Sequence, residues 1–135
     1  MATFNKYNCF VGDLGLQYHD LNADTLKVAL VNTAPAAGDT SYAGEVANGN
    51  GYTTGGADAQ NTYSQTSGTG TLAGTDITWT CVTAAMGPFR YAVLYNSSAT
   101  AGHQLIGWWD YASEVTLQVG ETFVVDFGAS ILTLA

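Results

Sequence analysis

The chain is predicted to fold as an all-β protein, an antiparallel β-sandwich or jelly-roll-like domain with a short N-terminal helix or arm. Three observations predict it. Short runs of period-two apolar alternation recur along the sequence. Glycine and other turn formers separate those runs. Hydrophobic residues make up 47% of 135 residues, and area scaling at this size removes about two thirds of the extended chain's surface from water, enough for one core. The expected organisation is one domain over 1–135, with an arm or short helix over 1–22 and a β-sandwich core over 23–135 that contains a glycine-rich loop over 38–70.

In "FNKYNCFVGDLGL", residues 4–16, Phe4, Tyr7, Val11 and Leu14 fall near helical spacing, and Gly12 and Gly15 weaken it. "HDLNAD" is a turn. "TLKVALVN", residues 25–32, is a strand with Leu26, Val28 and Leu30 on one face and Lys27, Ala29 and Val31 on the other; Pro35 ends it. The stretch 38–70 carries 8 of the 16 glycines and no lysine or arginine. A loop of that length in a compact domain is either functional or ordered by a partner, or else a hairpin excursion with strands near Asp58–Gln65. "TLAGTDITWTCVT", residues 71–83, reads as one half-buried strand with Ile77, Trp79 and Cys81 inward.

"GPFRYAVLYN", residues 87–96, contains the only arginine. Phe89, Tyr91, Val93 and Tyr95 share one face of a strand, and Arg90, Ala92, Leu94 and Asn96 share the other. "QLIGWWDY", residues 104–111, is the next strand. Closing a hairpin about residue 100 sets Tyr91 opposite Trp109, Leu94 opposite Ile106, Asn96 opposite Gln104 and Arg90 opposite Asp110, each pair chemically matched. Arg90 and Asp110 are therefore expected to form a partly buried pair that fixes the register, because a lone charge there would be costly. In this register Trp109 enters the core with Tyr91, and Trp108 shares a face with Ala92 and Leu94. "QVGET" is a turn between strands 115–118 and 121–127, and "ILTLA" closes a set of about eight strands.

Charge limits the function classes. Three cations (Lys6, Lys27, Arg90) against eleven acids give a net charge of −8, and charged residues are 10% of the chain, against about 25% in typical domains. No basic patch for nucleic acid can be built, and anionic membranes are disfavoured. So sparse a charge also fits a surface covered by protein in an assembly, since interface cores are depleted of charge. "MATFNKYNCFVGDLG" has no sustained apolar run and does not read as a signal peptide. Synthesis in a cytoplasm is expected, the chain staying there or leaving inside an assembly or by lysis.

Cys9 and Cys81 lack metal spacing and read as small buried hydrophobes, with one disulfide left open. His19 and His103 stand alone in turn-like stretches, where solvated or capping roles are expected. HxH, HExxH and GxSxG are absent from the sequence. A carboxylate pair could be drawn from Asp110, Glu114, Glu121 and Asp126, but eleven acids make such pairs easy to find. Catalytic residues, cofactors and metals are not expected. The aromatic residues most open to an interface are Trp108, Tyr111, Tyr52 and Tyr42.

"DTLKVALVNTAP", "GNGYTTGG", "GPFRYAVLYN", "LIGWWDY" and "GETFVVDF…ILTLA" together resemble the small all-β structural proteins of tailed bacteriophages, over most of residues 22–135. The resemblance implies a virion protein on the capsid exterior, a cement or decoration protein whose partner is the major capsid protein. It implies a homo-oligomer, with a trimer favoured, and carries over no catalytic residue. Loop 44–57 and the N-terminal arm are the expected contact regions. An alternative is a carbohydrate- or host-receptor-binding module on head or tail, which predicts an exposed aromatic platform built from Trp108, Tyr111 or Tyr52. A third reading, a small β-fold hydrolase, predicts a cleft with two carboxylates.

Overall fold

The longest continuous apolar run, residues 91–95, forms the middle of an antiparallel sheet that is buried on both faces. In the computed structural model, which describes residues 2–135, 44% of the chain is strand and 6% helix. The elements are β1 (Phe4–Lys6), α1 (Asn8–Gly15), β2 (Leu26–Val31), β3 (Ala57–Asp58), β4 (Thr62–Thr66), β5 (Thr69–Ala73), β6 (Ile77–Thr80), β7 (Met86–Asn96), β8 (Leu105–Leu117), β9 (Thr122–Val125) and β10 (Leu132–Leu134). They form a five-stranded sheet in the order β1-β8-β7-β2-β3, a three-stranded sheet β10-β5-β4 and a two-stranded sheet β6-β9. The protein is an all-β sandwich with a short N-terminal helix.

The main core lies between the large sheet and the two small ones. Leu26, Val28, Leu30, Ala92, Leu94, Ile106 and Trp109 meet Leu72, Ile77, Trp79 and Val125 there. Phe89 packs edge-on to Phe123 at 4.8 Å, and Trp109 tilts against Phe127 at 5.7 Å. The accessible surface is 6674 Å², close to the roughly 6,700 Å² that a folded monomer of this mass exposes.

The N-terminal segment is both strand and helix rather than a free arm. β1 pairs antiparallel with β8, with Phe4 opposite Trp109 and Lys6 opposite Gly107. The close approach needs a residue without a side chain: a Cβ on Gly107 would run into the Phe4 ring and the Asn5 carbonyl. The 38–70 stretch is likewise tied down by its own chain. Val46 N–H donates to Leu30 O at 3.0 Å and Asn32 N–H to Gly44 O at 2.9 Å, so residues 44–46 run beside β2. Gly56 sits directly against the Val28 carbonyl at φ +81°, where a Cβ has no room.

Several expectations are corrected. The described residues form ten strands, where about eight were expected. Residues 71–83 are two strands in different sheets, since β5 pairs with β4 and β10 whereas β6 pairs with β9; the Gly74–Asp76 break carries the chain from one sheet to the other. Residues 105–117 are one long strand, and the 118–121 turn leads into β9 in the two-stranded sheet. The β7–β8 register is offset by one from the expected pairing: Tyr91 faces Asp110, Ala92 faces Trp109, Val93 faces Trp108 and Leu94 faces Gly107. An irregularity at Ile106 restores the expected end, where Tyr95 faces Leu105 and Asn96 N–H donates to Gln104 O at 2.8 Å. The offset exchanges the tryptophans. Trp109 joins Ala92 and Leu94 in the main core, and Trp108 joins Val93 on the other face. A second irregularity between Phe89 and Tyr91, where β8 bulges through Ala112 at φ +72°, moves Phe89 into the main core.

Gly107→Ala is expected to lower unfolding free energy by about 1–3 kcal/mol, the range for overpacking a filled site, read as a reduced urea midpoint. Gly12→Ala, where a Cβ meets nothing within 4 Å in α1, is expected to raise it by about 0.5–1 kcal/mol. Equal midpoints for Gly107→Ala and the unaltered protein would contradict the docking of β1 on β8.

Candidate functional site

The second face of the large sheet carries a cluster of aromatic residues, two of them half-buried at its margin. Alternation along β2, β7 and β8 sends Ala29, Val31, Tyr91, Val93, Tyr95 and Leu105 to this face. Tyr7 lies fully buried over them, with half-buried Cys9, Tyr42 and Trp108 at the margin. Trp108 tilts against Tyr7 at 4.6 Å, and Tyr42 against Tyr95 at 5.1 Å. A cavity of about 240 Å³ opens among Tyr7, Val31, Pro35, Asp39 and Tyr42. The Tyr7 hydroxyl is buried and has no partner among the described residues. Burial, and secondarily the Asp39 charge, push its ionisation well above the ordinary phenol value, so it stays a neutral donor. Burial likewise raises Tyr42 and Tyr95; the Tyr95 hydroxyl donates to Gly55 O at 2.6 Å.

Arg90 stands at the rim of this face. Its Nε and Nη2 donate to Asp110 Oδ1 and Oδ2 at 2.8 and 3.1 Å, a bidentate pair. Asp110 Oδ1 also accepts from Ala112 N–H at 2.8 Å. The hydrogen bond from Arg90 holds the Asp110 carboxyl below the usual carboxylate range, and the same bond raises Arg90. The two side chains are 37% and 39% exposed, so solvent screens the pair and it is a surface rather than a buried interaction. The guanidinium also lies 5.2 Å from the Tyr91 ring centroid. The pair occupies the Nε/Nη2 edge of the guanidinium, and the adjacent carboxylate offsets the positive charge that an external anion would meet.

The four aromatic residues singled out from sequence do not form one platform. Trp108 and Tyr42 share the face just described. Tyr111 is half-buried elsewhere, edge-on to Phe123 at 5.0 Å, its hydroxyl pushed up to about 12 by burial and by Asp126. Tyr52 is 2% exposed; its hydroxyl donates to Glu45 Oε1 at 2.7 Å and accepts from Leu30 N–H at 3.1 Å. It anchors loop 44–57 to β2 and is not an interface residue. Tyr7, Tyr91 and Tyr95 complete the aromatic face and were not singled out from sequence. The alternation of Tyr91, Val93 and Tyr95 was the available signal, but it reads equally as core.

His19 is the other correction: it is buried rather than solvated. Asn96 Oδ1 accepts from Ser98 N–H at 2.9 Å, which leaves Asn96 Nδ2 to donate to Asp24 Oδ2 at 2.7 Å and to His19 Nδ1 at 3.0 Å. The neutral His19 therefore carries its proton on Nε2, a buried donor with no partner among the described residues. His103 Nδ1 lies 2.8 Å from Asp13 Oδ1, and its ring stacks on Tyr18 at 3.8 Å. Cys81 is buried and Cys9 half-buried, both free. Among the described residues no group of three His, Cys, Asp or Glu side chains is arranged to hold a metal ion, and no helix is long and apolar enough to cross a membrane. No family model, curated protein or solved structure matches this chain.

Burial lowers the His19 pKa from 6.5, outweighing the opposing fields of Asp13 and Asp24. A depressed histidine stabilises the fold above its unfolded value, and that stability is lost as pH falls through the folded value. The His19 ring is expected to titrate below 6.5 by NMR, with the urea midpoint falling as the pH drops below 6.5. A His19 titration at or above 6.5 would contradict its burial as a neutral acceptor.

Proposed function

We propose that this chain is a structural virion protein, a capsid cement or decoration protein that binds the outer surface of a tailed-phage head and stabilises it by bridging major capsid protein subunits. The observation that carries the reading is where the resemblance falls. "DTLKVALVNTAP", "GPFRYAVLYN" and "LIGWWDY" supply β2, β7 and much of β8, three neighbouring strands of the large sheet. "GNGYTTGG" holds Tyr52, the anchor that closes the sheet's β2 side. The likeness therefore covers a connected frame rather than scattered turns.

The mechanism in this reading is mechanical. The aromatic face with Trp108 and Tyr42 is the docking surface. Tyrosine and tryptophan suit that role because each couples large apolar area to a polar tip. One such face is small, and many copies on a shell add up through avidity. The acidic chain is repelled by packaged DNA, which favours the exterior. The carbohydrate-binding reading is weaker: of Trp108, Tyr111 and Tyr52, from which its platform would be built, Tyr52 is buried, and the half-buried Trp108 and Tyr111 pack against different clusters.

Quantitative mass spectrometry of purified particles is expected to find the chain in hundreds of copies. Purified chain added to shells stripped of it is expected to rebind and to raise their rupture temperature, and Trp108→Ala is expected to weaken rebinding by at least tenfold. Absence from particles together with indifference to shells would overturn the reading; a dozen copies or fewer, with glycan binding, would favour the receptor-binding module.

A further inference from the structure

The three-stranded sheet presents an outer face that neither core uses. β5 lies between β10 and β4, with Thr71 opposite both Thr133 and Ser64, and Thr69 opposite Thr66. Tyr63, Leu72, Leu132 and Leu134 turn inward to the main core. Period two therefore sends Thr62, Ser64, Thr66, Thr69, Thr71 and Thr133 outward. The result is a ladder of hydroxyls across the three strands.

The charge around it is as unusual as the chemistry. Residues 59–75 and 127–135, which include the whole sheet, contain no Asp, Glu, Lys, Arg or His, whereas the chain as a whole has a net charge of −8. All fourteen charged side chains lie outside these two segments. Two copies of such a chain repel wherever their acids approach within about 8–10 Å, the screening length near physiological salt. None of the charged side chains stands on this outward face, so two copies can meet there without setting acid directly against acid.

We propose that this hydroxyl face is a two-fold contact between copies of this chain. A hydroxyl both donates and accepts, so a patch of hydroxyls is complementary to itself under a two-fold axis, the requirement of an isologous interface. A basic or an acidic partner finds nothing to pair with here, which leaves a second copy as the occupant the charge pattern favours. Strand spacings of about 4.8 Å and a rise of about 3.4 Å per residue give a face of about 10–15 by 17 Å, well short of the roughly 800 Å² per partner of a stable complex. The contact is therefore weak between free molecules and gains force when copies are held close together. It does not rest on the capsid reading and is tested without shells.

The experiment is sedimentation velocity on the full chain from about 10 μM to 1 mM, in 20 and 500 mM NaCl. Association is expected to rise with concentration and to strengthen at high salt, where repulsion between like-charged copies is screened. Ser64→Lys and Thr78→Lys both reduce the net charge from −8 to −7 and so relieve that repulsion equally. Thr78 is exposed on β6, in the two-stranded sheet and outside the three-stranded one. Ser64→Lys is expected to weaken association at least tenfold, and Thr78→Lys to leave it unchanged or strengthen it. In the unaltered protein, concentration-dependent amide shifts by NMR are expected at residues 62–73 and 132–134, a readout that needs no variant. A single subunit at 1 mM in high salt, equal association of the two lysine variants, or shifts centred elsewhere would each overturn the proposal.

Discussion

Everything else in the molecule follows from β7 being buried on both faces. Between Tyr91 and Asn96 no side chain on either face is more than 8% exposed, so a chain of 135 residues has to supply two covering layers. The two small sheets supply the first with regular β-structure. The second is assembled from what remains: Tyr7 and Cys9 after β1, and Tyr42 from the loop after β2. A cover made of single side chains from separate segments closes imperfectly, which is why Trp108 and Tyr42 stay half-open and a cavity survives beside Tyr7. Tyrosine suits this layer because its ring buries area while its hydroxyl reaches a carbonyl or the boundary with water.

The scarcity of charge follows from the same constraint. A sheet wet on neither face has few positions where an ionised group can stand, and those lie at its rims. Arg90 and Asp110 occupy one rim, mutually neutralised. Lys27 on β2 stands opposite Asp58 on the edge strand β3 in the register, a cross-strand placement of unlike charges that is favourable even without a direct ion pair. The polar groups placed deeper, His19, Asn96 and Asp24, are held by hydrogen bonds between neutral and charged partners, as buried polar groups must be.

How much of this could be read in advance depends on distance along the chain. β2 and β7 were legible because period two is a local property and both of their faces are apolar. The 97–103 turn was legible from composition. The β7–β8 register was not: residues summing to 200 gave matched pairs throughout, and the observed offset of one comes from the irregularity at Ile106, an insertion that no pairwise match reveals. Arg90 still reaches Asp110 because it sits in the irregularity between Phe89 and Tyr91, where the strict alternation of faces lapses. Residues 71–83 alternate without interruption, yet belong to two sheets, since alternation reports burial and not the identity of the neighbouring strand. The burial of His19 rests on Asn96, 77 residues away, and that of Tyr52 on Glu45 and Leu30, contacts that only the closed fold supplies.

The sandwich also settles how the aromatic and hydroxyl faces are related. The inward faces of the large and the three-stranded sheets meet across one core, so their outward faces point away from each other, with that core between them. The aromatic face is a mixture of half-buried rings, rimmed by an ion pair. The hydroxyl face has no charge and no large apolar group. Surfaces so different in chemistry do not compete for the same partner: rings with polar tips favour a heterologous pocket, whereas hydroxyls favour their own kind. The bridging role proposed above requires two separately addressed surfaces joined by something stiff. The interlocked core of Trp79, Phe89, Trp109 and Phe127 is stiff in the relevant sense, because close-packed interiors have low compressibility and transmit strain rather than absorb it.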